Sequence, residues 1–122
     1  MQNFLLVALG GALGASARYG AGLIAIQLGW AGFPWATLFV NVLGGLLMGM
    51  LAGWLAEGGP ALRLLLGVGV LGGFTTFSAF SIDAIRLIES NQAGAAFAYI
   101  AASVILSIGA CWAGLALVRS FA

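Results

Sequence analysis

The chain has 122 residues, 63% of them hydrophobic and only 6% charged, and its charges are four arginines and three carboxylates, with no lysine or histidine. A soluble domain carries about a quarter charged residues, so a chain this apolar reads as an integral membrane protein. The missing histidines and scarce carboxylates exclude side-chain zinc sites and Ser–His or Cys–His catalysis and argue against an enzyme. The net charge of +1 leaves no basic patch for nucleic acid, and the lone Cys111 forms no intrachain disulfide.

In chain order, the first predicted span covers residues 4–28. Ala15-Ser16-Ala17 has the small-x-small form of a signal-peptide cleavage site, but no positively charged region precedes it, so it is read as part of the span. The stretch "LGWAGFPW" (28–35) closes that span with Gly and Pro and offers two Trp to the membrane interface. A second span covers 35–56. "EGGPALR" (57–63) then turns the chain, with Pro60 at the start of the next helix. The third span runs 61–87, "ESNQAG" (89–94) is the third turn, and the fourth span runs 94–118. Each span is long enough to cross about 30 Å of hydrocarbon. Together they form one four-helix transmembrane domain over 1–122.

Four spans put both termini on one side. Arg63 and Arg119 fall on that side; Arg86 falls on the other, with Arg18 nearer to it. Such a balance gives the positive-inside rule nothing to act on. Either an orientation signal lies outside the charges or the chain inserts in both orientations; the second reading, which we favour, allows an antiparallel homodimer about a two-fold axis in the membrane plane. The axis would meet span three at its middle, residues 72–76.

Those residues belong to "GGFTTFSAFS" (72–81), the most polar stretch of any span. It fits either a glycine kink with threonine hydroxyls bonded back to the helix, or an unwound segment whose carbonyls face protein, water or an ion. Gly10/Gly14, Gly45/Gly49, Gly49/Gly53 and Gly69/Gly73 are GxxxG pairs that predict close helix packing. Asn41 lies about 9 Å into span two, with Thr37 one turn earlier on the same face. Tyr99, Ser103 and Ser107 follow at i, i+4 and i+8 on span four, and Phe77 and Phe80 share a face just past the break. Each of these alone fits packing. Together they describe a narrow track of amide, hydroxyl and aromatic-edge groups without a carboxylate, which suits a small anion better than a cation. Arg18 is a candidate anion or water ligand at the pore mouth. Two alternatives remain: a small dual-topology multidrug-type carrier, which would want a carboxylate within a span, and a non-transporting membrane scaffold.

"GGALGASARYG" (10–20), "TLFVNVLGGLLMG" (37–49) and "GGFTTFSAFS" (72–81) closely resemble the three signature segments of the Fluc/CrcB fluoride channel family. The resemblance extends over nearly the whole chain; Ala79 stands where many members have a hydroxyl residue. It implies a fluoride-selective channel in a bacterial inner or plasma membrane, an antiparallel dual-topology homodimer with two pores that exports fluoride passively. It assigns Phe77, Phe80 and Asn41 to the pore, Tyr99, Ser103 and Ser107 to a polar track, and matches Arg18 to the first segment's arginine. It also implies a structural Na⁺ at the dimer centre, held by the backbone carbonyls of Gly72 and Thr75 from both copies.

Overall fold

The computed structural model describes residues Met1–Ala122, and they are helical apart from the connecting turns and one break. Helix α1 spans Gln2–Gln27 and α2 spans Trp35–Trp54. Span three is composite: α3 (Pro60–Leu62), a π-helical stretch Arg63–Leu71, α4 (Gly72–Phe74), two extended residues, then α5 (Phe77–Glu89). Helix α6 spans Ala93–Ser120. Four helical segments, Gln2–Gln27, Trp35–Trp54, Pro60–Glu89 and Ala93–Ser120, are long and apolar enough to cross a membrane. The chain is a multi-pass membrane protein.

The turns follow from their residues. Gly29 and Gly32 adopt positive φ (72° and 88°) between α1 and α2, where a side chain would be strained. Pro60 takes the first helical position of span three, where its missing N–H costs nothing. Arg63 donates from Nε to the Leu55 carbonyl (3.0 Å) and from Nη2 to the carbonyls of Leu55 and Ala56 (2.9 Å for Ala56). It satisfies the open C-terminus of α2. One of the few charges is therefore committed to a helix end.

The glycines set the packing. The first half of span three lies on α1, α2 lies on α6, and α5 moves over to α6. A Cβ on Gly69 would sit 2.8 Å from the Gly10 Cα, and one on Gly73 would sit 2.7 Å from the Gly11 carbonyl oxygen. On the other pair, a Cβ on Gly45 would meet the Ser107 carbonyl oxygen at 2.7 Å. These backbones touch because glycine removes the spacer, as the GxxxG pairs predict. The small core lies between α2, α5 and α6: Leu38, Phe80, Ala84, Leu87, Ala96 and Tyr99. Only 18 of 122 residues are buried, which leaves most apolar side chains for lipid or another protein surface.

The break falls later than the glycines suggested. Gly72 and Gly73 stay helical, and the chain straightens at Thr75 (φ −83°, ψ 156°) and Thr76 (φ −152°, ψ 118°). The glycines serve helix contact, while the β-branched threonines, poor helix formers, carry the extended backbone. Both sequence readings of this stretch are partly realised, because Thr75 Oγ1 also bonds back to the Leu71 carbonyl at 2.9 Å. The break is what lets one span pack on α1 in its first half and on α6 in its second.

Candidate functional site: a midplane cavity at the break in span three

Breaking a helix in hydrocarbon strands backbone donors and acceptors, each at a cost of several kcal/mol if left unpaired. Asn41 resolves this at Thr76. Its Nδ2 donates to the Thr76 carbonyl (2.9 Å), and its Oδ1 accepts from the Thr76 N–H (2.7 Å). One amide on α2 thus replaces the helical acceptor that the Thr76 N–H has lost, adds a bond to the carbonyl with which Thr76 opens α5, and leaves one N–H of its NH₂ group uncommitted. The Thr76 hydroxyl accepts from the Ala79 N–H (3.1 Å), capping the N-terminus of α5. Arg18 donates from Nε to the Gly73 carbonyl (3.2 Å).

Two carbonyls lose their helical donors by these exchanges. In an unbroken helix the Thr76 N–H would serve Gly72, and the Ala79 N–H would serve Thr75. Both donors are used elsewhere. Gly72 and Thr75 therefore present neutral oxygens beside the break, and no group of three or more carboxylate, thiol or imidazole ligands exists anywhere in the chain. That donor set fits a hard monovalent cation, since divalent hard ions recruit carboxylates. Two oxygens are too few to hold it without further ligands.

Past the break lies a cavity of about 540 Å³, bordered by Asn41, Thr75, Thr76, Phe77, Phe80, Ser103, Ser107 and Cys111 together with glycines and apolar residues of α2 and α6. No carboxylate lines it. Ser103 is 6% exposed and its Oγ has no hydrogen-bond partner. A buried hydroxyl without a partner is uncommon and needs an explanation. Phe77 and Phe80 have ring centroids 5.3 Å apart but opposite environments: Phe80 is 9% exposed, within the core, and Phe77 is 78% exposed. The one-turn face shared in sequence becomes, in space, one ring turned inward and one turned out of the protomer.

Tyr99 continues this arrangement outward. It is fully buried, 5.3 Å from Phe80 between ring centroids, and its hydroxyl donates to Asp83 Oδ2 at 3.4 Å. The Thr37 hydroxyl donates to the same oxygen at 2.8 Å. Asp83 thus stands at the outer end of the track, which corrects the expectation of a track without any carboxylate: the acid lies beyond the midplane cavity, where the Thr37 and Tyr99 hydroxyls satisfy it. Its position three residues after Phe80 places it on the same helix face, and that spacing was the available signal. The structure brings together Asn41, Phe77, Phe80, Ser103 and Ser107 around the cavity, with Tyr99 behind Phe80. Arg18 stays apart, between α1 and the first half of span three.

A family model described as "CrcB-like protein, Camphor Resistance (CrcB)" matches residues 5–115. The chain belongs to the CrcB family. Its relatives in that family include proteins named fluoride-specific ion channel FluC. The one from Caulobacter sp. (strain K31) is 54% identical over 98% of this chain and 96% of its own. The one from Rhodospirillum centenum (strain ATCC 51521 / SW) is 54% identical over 98% of each chain, and that from Rhizobium meliloti (strain 1021) 52% over 98% of each.

Proposed function

We propose that the chain forms a fluoride-selective channel that carries fluoride passively out of the bacterial cytoplasm. The observation that carries the reading is the unpartnered Ser103 hydroxyl in a cavity without carboxylates, edged by two phenylalanines and an amide with a spare N–H. Fluoride is small and strongly hydrated, so entering a membrane requires donors in place of its water. Ser103, Ser107 and the free N–H of Asn41 are such donors, and aromatic ring edges carry partial positive charge. The N-terminus of α5, opening at the break, adds the positive end of a helix dipole. Relatives at 50–54% identity named for fluoride narrow the anion. Fluoride enters cells as its neutral acid and ionises inside; a negative interior then drives the anion out by about 2.3 kcal/mol per 100 mV.

The working unit is an antiparallel homodimer. The exposed Phe77 and the open side of the cavity call for a second surface, and the balanced arginines supply copies in both orientations. The Gly72 and Thr75 carbonyls of both copies would hold a structural Na⁺ between them. That ion, when bound, supplies a positive charge that ties the copies together. It is not transported. Arg18, by holding the adjacent Gly73 carbonyl, fixes the half-helix that presents them.

Liposomes containing the purified protein test the function. Fluoride should leave down its gradient without a proton or Na⁺ gradient, and chloride far more slowly. Comparable chloride flux would remove the case for fluoride. Strict dependence on a proton gradient would instead favour a carrier, with Asp83 as the proton site.

A further inference from the structure

A recess of about 310 Å³ opens at the outer end of α5, lined among others by Phe33, Asp83, Arg86, Ser90 and Gln92. Only two of its eight lining residues are hydrophobic, so its lining suits water rather than lipid. The larger groove along α2 and α6 is wholly apolar by contrast. Part of the recess comes from the first loop, whose residues have so far served only as a turn.

A column of rings joins this recess to the midplane cavity. Phe77, Phe80, Tyr99 and Phe33 follow one another at centroid separations of 5.3, 5.3 and 5.5 Å, the last pair edge-on at 90°. Phe77 and Phe80 border the cavity; Phe33 borders the recess. Where the column reaches the recess, the Thr37 and Tyr99 hydroxyls converge on Asp83. A carboxylate at that point repels any anion passing it, and low-dielectric walls strengthen the repulsion. Arg86 follows Asp83 by three residues on the same helix face and lines the same recess. It brings the opposite charge to the place where the anion needs it. Glu89, also exposed on the last turn of α5, does not line the recess.

We propose that this recess is the mouth at one end of the conduction path, and that Arg86 offsets Asp83 there and concentrates the anion. The proposal rests on the fluoride-channel reading and adds to it where the path ends and which charge serves that end. Arg86 acts by its field, so its effect is strongest when fluoride is dilute and salt is low.

The test is fluoride efflux from liposomes at sub-saturating fluoride, for wild type, Arg86→Lys, Arg86→Gln and Arg86→Glu, in potassium gluconate at about 10 mM and about 500 mM. Between these salts the screening length falls from about 30 Å to about 4 Å. In low salt Arg86→Lys should match wild type, Arg86→Gln should lose roughly threefold and Arg86→Glu roughly tenfold. In high salt all four should agree within about twofold. Wild-type flux from Arg86→Glu in low salt would overturn the proposal. So would a loss that salt does not change, because that would make Arg86 a structural residue. Wild-type liposomes that retain their fluoride would overturn the channel reading itself, so the two failures are distinguishable.

Discussion

Ser103 and Asn41 are both polar residues inside a span, and the structure gives them opposite energetic standing. The Ser103 hydroxyl is buried without a partner, so Ser103→Ala removes an unsatisfied group and should leave thermal stability unchanged or slightly raised. If that hydroxyl donates to the passing anion, the same variant should cut fluoride flux by about tenfold, the equivalent of one donor at about 1.4 kcal/mol. Unchanged flux would return Ser103 to packing. Asn41 makes two bonds to the Thr76 backbone, and its Oδ1 is the acceptor for the Thr76 N–H, which the break has cut off from the helix. Asn41→Ala should therefore lower stability by about 1–3 kcal/mol per stranded group, read as a lower unfolding temperature in detergent. Asn41→Asp keeps the bond from the Thr76 N–H but turns an oxygen toward the Thr76 carbonyl and adds negative charge beside the path. Its flux should fall below that of Asn41→Ala. The two phenylalanines divide similarly. Phe77→Ile should reduce flux while leaving the protomer's stability intact, because the ring is exposed, whereas Phe80→Ile should lower both.

At the scale of elements, the third span shows what a motif reveals and what it hides. "GGFTTFSAFS" marks a break in sequence but does not say which pair of residues carries it. The glycines suggested themselves because glycine tolerates any backbone, yet Gly72 and Gly73 remain helical and the threonines are extended. What decides this is α1: a Cβ on Gly73 would press on the Gly11 carbonyl, whereas one on Gly72 meets only the Gly67 carbonyl, at 3.6 Å. Gly73→Ala should thus cost about 1–3 kcal/mol by overpacking, and Gly72→Ala should be mild within one protomer. Thermal unfolding of the two variants checks the order, and equal effects would contradict it. A large side chain at Gly72 should act elsewhere, on assembly, if its carbonyl lies on the two-fold axis. The apolar runs between charged and Gly/Pro-rich breaks predicted four spans, and four helical segments are long and apolar enough to cross a membrane. Those runs could not predict the π-helical stretch Arg63–Leu71.

For the whole molecule, the balance of arginines makes topology the central question. A C-terminal reporter should be found on both sides of the membrane in comparable amounts. Two or three added lysines in one loop should bias insertion and lower activity, and co-expression with an oppositely biased copy should restore it. A reporter confined to one side would end the antiparallel proposal. The dimer should also unfold at higher temperature in Na⁺ than in a bulky organic cation, because an ion bound only by the assembled pair stabilises it by linkage. Equal stability in both would remove the Na⁺ proposal while leaving the fluoride reading standing.

The sequence by itself determined the solvent, the number of spans, the glycine contacts and the family to which the chain belongs. These follow from composition and local spacing, which the bilayer reads one span at a time. It also named most of the residues around the cavity, because Phe77/Phe80 and Ser103/Ser107 share faces within single helices. Only the tertiary structure decided the tasks that join one helix to another. It committed Asn41 to the Thr76 backbone, set Arg18 on Gly73, placed Asp83 against Tyr99 and Thr37, and turned Phe77 outward while burying Phe80. The physical reason is that a helical period fixes which side chains share a face, whereas hydrogen-bond partners across helices depend on where a broken span leaves its backbone unpaired.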